Sequence, residues 1–253
     1  MVVKGVDDKS YIVKALSTLL NHPKIYPYKK EQIKTTIQNL KKGWSNEKSA
    51  SYYIDSYYKD RDDVWVIHDL RITTPTERVQ IDHLIVYRFE VSILESKYFS
   101  SHLFYDPQNR EFFIKTRNGK KLAIPNPIKQ AERQELALKR ILKEKGLDRY
   151  FPSNFSHYVL ISPRVKLEGK MPERIVKADS FVDKFREEDR RMGIGTILKR
   201  GFNLITHPSK GLEEGVKKLV SLHRPYRVEH FLNQLNLEWT SDWLKEQLEK
   251  LAK

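Results

Sequence analysis

Val79-Gln80-Ile81-Asp82-His83-Leu84-Ile85-Val86-Tyr87 and Val91-Ser92-Ile93-Leu94-Glu95-Ser96-Lys97, joined by Arg88-Phe89-Glu90, decide the fold. Both runs are rich in Val and Ile and read as β-strands. Side chains alternate along a strand, so Val91, Ile93, Glu95 and Lys97 share one face. That face begins apolar and ends in a carboxylate and an ammonium. Buried charges cost several kcal/mol unless they are paired or coordinate a metal. The short link predicts an antiparallel hairpin, although it lacks the Gly or Asn that tight hairpins favour.

Outward from this hairpin the pattern is mixed. Val64 to Ile72 reads as a third strand. Glu111 to Lys115 and Lys121 to Ile124 flank a turn at Arg117-Asn118-Gly119-Lys120. Asn126-Pro127 supplies a cap and a first-turn proline for a long helix with Ile128, Ala131, Leu138, Ile141 and Leu142 on one stripe, closed by Gly146. His157 to Ser162 is a short apolar strand, and a strand after a helix implies an α/β crossover. The first sixty residues read as helices: Tyr11 to Leu20, then Lys30 to Lys42 ended by Gly43, then a third capped by Ser45 or Asn46 and carrying Glu47. From Phe185 the chain reads as helical again, through Ile197, Val216, Leu219, Phe231, Leu235 and Trp243. The expected organisation is a helical arm over 1–44, an α/β core over 45–184 and a helical extension over 185–253. The expected fold class is α/β, a central mixed sheet flanked by helices.

Composition narrows the chemistry. The 253 residues carry 47 Lys and Arg against 33 Asp and Glu, a net charge of +14. Such a chain favours polyanions, nucleic acid above all. There is no cysteine, which removes disulfides, thiolate zinc sites, cysteine nucleophiles and iron–sulfur clusters. The eight histidines form no H-x-H or H-x-x-x-H pair, so a zinc site is not expected. Neither G-x-G-x-x-G nor a P-loop pattern occurs. No apolar run approaches the roughly twenty residues that span a bilayer, and the N-terminal stretch has no apolar signal core. A cytoplasmic protein with no membrane partner is the expectation.

Asp82 and Glu95, on adjacent strands, can grip a hard cation such as Mg²⁺ or Mn²⁺ through oxygen, with the Ser96 carbonyl as a further donor. A cation there would polarise a phosphate oxygen and activate water. Lys97, beside Glu95, can orient that water or neutralise charge on phosphorus. The plain alternative is an ion pair at a strand end. Gln130 and Gln134 sit one turn apart on one helix face, where they can border the core or reach a phosphate or water.

The order of these elements resembles the nuclease-related domain (NERD) family of the PD-(D/E)xK nuclease superfamily. The resemblance rests on a helix with Glu47, the Gln80-Ile81-Asp82-His83 strand, the Glu95-Ser96-Lys97 strand, the Asn126-Pro127-Ile128-Lys129-Gln130 helix start and the strand His157 to Ile161. It implies a restriction-endonuclease-like core and a divalent-metal-dependent deoxyribonuclease. It also implies metal ligation by Asp82 and Glu95, catalysis by Lys97, a further carboxylate at Glu47 and a polar site residue at Gln130. On a basic chain the expected partner is DNA, cleaved with little sequence preference, with Lys115, Arg117, Lys120 and Lys121 as backbone-binding residues. Tyr52, Tyr53, Tyr57 and Tyr58 lie among lysines and can stack on bases. The competing readings are a nucleic-acid-binding module of the same fold that does not cut, and an RNA-directed nuclease. Strand alternation turns His83 away from Asp82 and so outside the expected site.

Overall fold

The computed structural model describes residues 1–99, 102–116, 118–181, 183 and 209–251. In chain order they form β1 (Val2–Lys4), α1 (Ser10–Leu19), α2 (Pro27–Tyr58), β2 (Val64–Thr73), β3 (Arg78–Tyr87), β4 (Val91–Lys97), β5 (His102–Asp106), β6 (Glu111–Lys115), β7 (Lys121–Ile124), α3 (Pro127–Glu144), β8 (Phe155–Ile161), β9 (Lys166–Glu168), β10 (Ile175–Lys177), α4 (Ser209–Ser221), α5 (Val228–Leu235) and α6 (Ser241–Lys250). The chain is mixed α/β, as its patterning implies. Contacts divide it into two compact units, Met1–Val6 with Asn46–Arg224 and Asp7–Ser45 with Pro225–Lys253. The grouping therefore does not follow chain order: β1 and α4 lie in the same unit as the central strands. The helix expected from Phe185 through Ile197 lies outside the described residues. No helix among those described is long and apolar enough to cross a membrane.

In the first unit, one sheet has the strand order β1-β2-β3-β4-β8-β10. β2, β3 and β4 pair antiparallel, whereas β1 joins β2, and β4 joins β8, in parallel. A parallel neighbour needs a crossover, and α3 supplies it between β4 and β8. A second sheet has the order β7-β6-β5-β9. Val91 and Ile93 pack with Leu84 and Val86 against Ala137, Leu138, Ile141 and Leu142 of α3. Ile85 and Leu94 face the other way, into a cluster with Ala50, Ile54 and Tyr58 of α2. The three strands are thus apolar on both faces along most of their length, and polar side chains inside them need a specific partner.

Three local expectations change. Val2–Lys4, read as part of a helical N-terminal region, is a strand paired with β2. α2 runs unbroken through Gly43 instead of being two helices. A glycine inside a helix costs only about 1 kcal/mol, and Gly43 does not take a left-handed conformation that would end it. The β3–β4 hairpin closes without glycine. Tyr87 N–H donates to the Glu90 carbonyl at 2.8 Å, and neither Arg88 nor Phe89 has positive φ, so no residue there needs glycine's freedom. The Glu90 carboxylate fastens this turn by accepting from Ser92 Oγ at 3.1 Å, from Ser156 Oγ and from Asn154 Nδ2 at 3.3 Å.

The second unit is helical. Ile12, Leu16, Leu19 and Ile33 pack with Phe231, Leu232, Leu235 and Leu244. His22 is buried edge-on against Trp239 and Trp243, at ring-centroid distances of 5.0 and 4.4 Å.

Candidate active site

Asp82 lies on β3, and Glu95, Ser96 and Lys97 end β4. Tight pairing with β8, from Val91↔Phe155 to Lys97↔Ile161, fixes the end of β4 in the sheet. α3 begins where Asn126 caps it: the Asn126 side chain accepts from the backbone N–H groups of Ile128 at 3.0 Å and Lys129 at 3.2 Å. This start puts Gln130 and Gln134 over Glu95. Gln130 Nε2 donates to Glu95 Oε1 at 2.7 Å and Gln134 Nε2 to Glu95 Oε2 at 2.5 Å. Lys97 Nζ stands 2.7 Å from Glu95 Oε1. Asp82 Oδ2 accepts the Ser96 backbone N–H at 2.8 Å.

These groups line one cavity of about 790 Å³ with Glu47, which reaches it from α2. Glu47, Asp82 and Glu95 are all buried. Their crowding shows in Asp82, whose carboxyl is pushed well above the usual carboxylate range. Burial is the main cause, followed by the charges of Glu95 and Glu47. The Ser96 N–H and the Lys97 charge pull the other way without cancelling these. The floor of the cavity is therefore short of positive charge. Its rim is not: Arg78 and Arg133 are exposed there, and neither side chain has a hydrogen bond or ion pair among the described residues. Arg140, also at the rim, is bound to Glu77 at 2.8 Å.

Glu47, Asp82, Glu95, Ser96, Lys97 and Gln130, far apart in sequence, thus meet in one place. The basic hairpin does not join them. Lys115 and Lys121 lie on β6 and β7 of the second sheet, Lys120 precedes β7, and none of them lines the cavity. Arg117 lies outside the described residues. Lys121 Nζ sits 4.3 Å from the centre of the Phe104 ring. Among the tyrosines, Tyr58 is a core residue bonded to Tyr87 through their hydroxyls at 2.5 Å, while Tyr52 is exposed.

Residues 42–162 match the family described as the nuclease-related domain. This stretch is a nuclease-related domain. No curated protein and no solved structure matches the chain. The nuclease-related domain contains every residue that lines the cavity, from Glu47 to Arg140. Among the described residues no three His, Asp or Glu side chains form a complete metal-ligand group. The donor set nevertheless suits a hard cation. Asp82 and Glu95 provide hard oxygens, and the excess negative charge registered by Asp82 is what a divalent ion would offset. A carboxylate has about four acceptor positions. Three contacts occupy Glu95, whereas the Ser96 N–H alone occupies Asp82 among the described residues.

Sequence reasoning missed Arg78 and Arg133 at the mouth of the nuclease-related domain. In a chain with 47 basic residues, two more arginines carry no signal until the cavity singles them out. Gln134 stood out only through its one-turn spacing from Gln130, and its contact with Glu95 gives that spacing a purpose.

Proposed function

We propose that the chain is a divalent-metal-dependent nuclease that hydrolyses DNA phosphodiester bonds with little sequence preference. The observation that carries this reading is the meeting of Glu47, Asp82, Glu95, Lys97 and Gln130 in one acidic cavity whose rim bears two unpaired arginines. Asp82 and Glu95, with the Ser96 carbonyl, would hold Mg²⁺ or Mn²⁺. Such an ion supplies Lewis acidity toward a phosphate oxygen and lowers the pKa of bound water. Lys97 neutralises charge that builds on the phosphate and orients the attacking water. Gln130 and Gln134 keep the Glu95 carboxylate in one orientation, so it need not reorganise when substrate arrives. Arg78 and Arg133 present planar forks suited to phosphates on either side of the scissile one. All of these contacts address phosphate, which every sequence shares. Residues 45–184 form the nuclease core in this reading, and the basic β6–β7 hairpin serves backbone binding away from the cavity.

The test is cleavage of circular and linear DNA by the full chain with Mg²⁺ or Mn²⁺, set against the same reaction with chelator. Cleavage is expected only with metal. Asp82→Ala, Glu95→Ala and Lys97→Ala should each slow it by about 10²-fold or more, the scale of losing one preorganised charge-stabilising group. Cleavage that persists in all three variants would overturn the reading. DNA binding without cleavage identifies a binding module instead, and preferential cutting of labelled RNA in competition identifies RNA as the substrate.

A further inference from the structure

His83 sits next to Asp82 yet faces the opposite side of the sheet, and it is one link in a continuous polar chain. His68 on β2 and His83 on β3 are direct cross-strand neighbours. Both are 0% exposed. Their Nδ1 atoms lie 2.7 Å apart. His68 Nε2 lies 2.8 Å from Asp55 Oδ1 on α2, and His83 Nε2 lies 2.8 Å from Ser96 Oγ on β4. Four side chains on four elements are thereby joined end to end. The Asp55 end reaches water, with its side chain 34% exposed. The other end lies under the Glu95-Ser96-Lys97 strand.

With both rings neutral, one arrangement of protons satisfies these three contacts. A carboxylate only accepts, so His68 Nε2 carries a hydrogen. His68 Nδ1 then accepts from His83 Nδ1–H, and His83 Nε2 accepts from the Ser96 hydroxyl. The chain is directional and spends the one hydrogen that Ser96 Oγ has to give. The same Ser96 donates its backbone N–H to Asp82 on the front of the sheet. Ser96 is therefore held from both faces. Its neighbours Glu95 and Lys97 point forward, where Gln130 and Gln134 meet Glu95. The surroundings of the two rings are apolar, with Ile54, Ile85 and Leu94 on that face. Two polar rings there gain nothing over an aliphatic pair unless the directed bond to Ser96 matters.

We propose that Asp55, His68 and His83 are positioning residues for the acidic cavity: through Ser96 they hold the strand end that presents Asp82, Glu95 and Lys97. The catalytic consequence rests on the nuclease reading, but the structural consequence does not. The experiment pairs Asp55→Ala with Asp55→Asn in the full chain. Both change a partly exposed side chain, and the Asn oxygen can still accept from His68 Nε2. Amide hydrogen exchange at Ser96, read by NMR without metal or substrate, is expected to quicken about tenfold in Asp55→Ala, the scale of one lost hydrogen bond. It should return to the wild-type rate in Asp55→Asn. Under the nuclease reading, kcat falls about tenfold in Asp55→Ala with KM unchanged, as for loss of a partner behind a ligand, and recovers in Asp55→Asn. His68→Phe keeps a ring of similar size without nitrogens and should also quicken Ser96 exchange. Unchanged Ser96 exchange in Asp55→Ala overturns the proposal, and so does a lowered melting temperature with Ser96 exchange and kcat both intact. A wild-type chain that cuts no nucleic acid overturns the nuclease reading alone, and the exchange comparison still decides this one.

Discussion

Glu90 and Glu95 flank the same strand, one just before it and one near its end, and both carboxylates sit among polar donors. Glu90 accepts from two serines and an asparagine, and this neutral cradle ties the β3–β4 turn to the residues around β8. Glu95 accepts from two glutamines and a lysine, and it also stands close enough to Asp82 to raise that group's proton affinity. Each glutamate is well hydrogen-bonded, so satisfied bonding does not set the two apart. The difference is the crowding of like charge. One end of the strand gathers neutral donors around one carboxylate and makes a fastener. The other gathers three buried carboxylates into a cavity and makes a site that calls for a cation. A buried acid by itself therefore says little about function, whereas several acids sharing one desolvated space say a good deal.

That contrast can be broken from either end. The largest effect is expected at the cavity. Gln134→Leu removes one of the donors that aim Glu95 and should weaken Mn²⁺ binding by about 10- to 100-fold, as read by calorimetry. Unaltered affinity would mean that Glu95 needs no help in holding its orientation. Next comes Glu90→Ala, which leaves Ser92, Ser156 and Asn154 without their shared acceptor. It should cost about 1–3 kcal/mol in urea unfolding while Mn²⁺ affinity stays at the wild-type level. Loss of metal binding in Glu90→Ala would erase the distinction between fastener and site.

The smallest effect concerns pH. Asp82 has a proton affinity above that of an ordinary carboxyl, so the metal-free folded chain still holds this proton where the unfolded chain has released it. Its contribution to stability is complete below the ordinary aspartate value and declines as pH rises through the folded-state value. Asp82→Asn cannot lose that proton. In chelator, its unfolding midpoint should fall less than that of the wild type as pH is raised. Parallel curves for the two proteins would show that Asp82 does not carry the crowding.

The motif strands were legible because long Val and Ile runs leave little choice, and the start of α3 because Asn126 and Pro127 announce it. β1, β9 and β10 have three residues each, too few to show alternation, and exist only because a longer strand offers an edge. Gly43 misled because the same residue that often ends a helix is merely tolerated inside one. The meeting of Glu47, Asp82, Glu95, Lys97 and Gln130 was expected from their ordered motifs. The Asp55-His68-His83-Ser96 chain was invisible by comparison. Alternation correctly turned His83 away from Asp82, but no spacing rule says that β2 brings His68 directly opposite it. Cross-strand register supplies that information, and register is a property of the folded sheet.

The Asn126 cap has a consequence in angle. Each residue of an α-helix advances about 1.5 Å and turns by about 100°. A helix that began one residue earlier or later would swing Gln130 and Gln134 together off Glu95 by more than a quarter of a revolution. By fixing where the first turn starts, Asn126 also fixes the compass bearing of side chains four and eight positions downstream. The asparagine that opens this helix acts as its index mark, and the two glutamines are read from it.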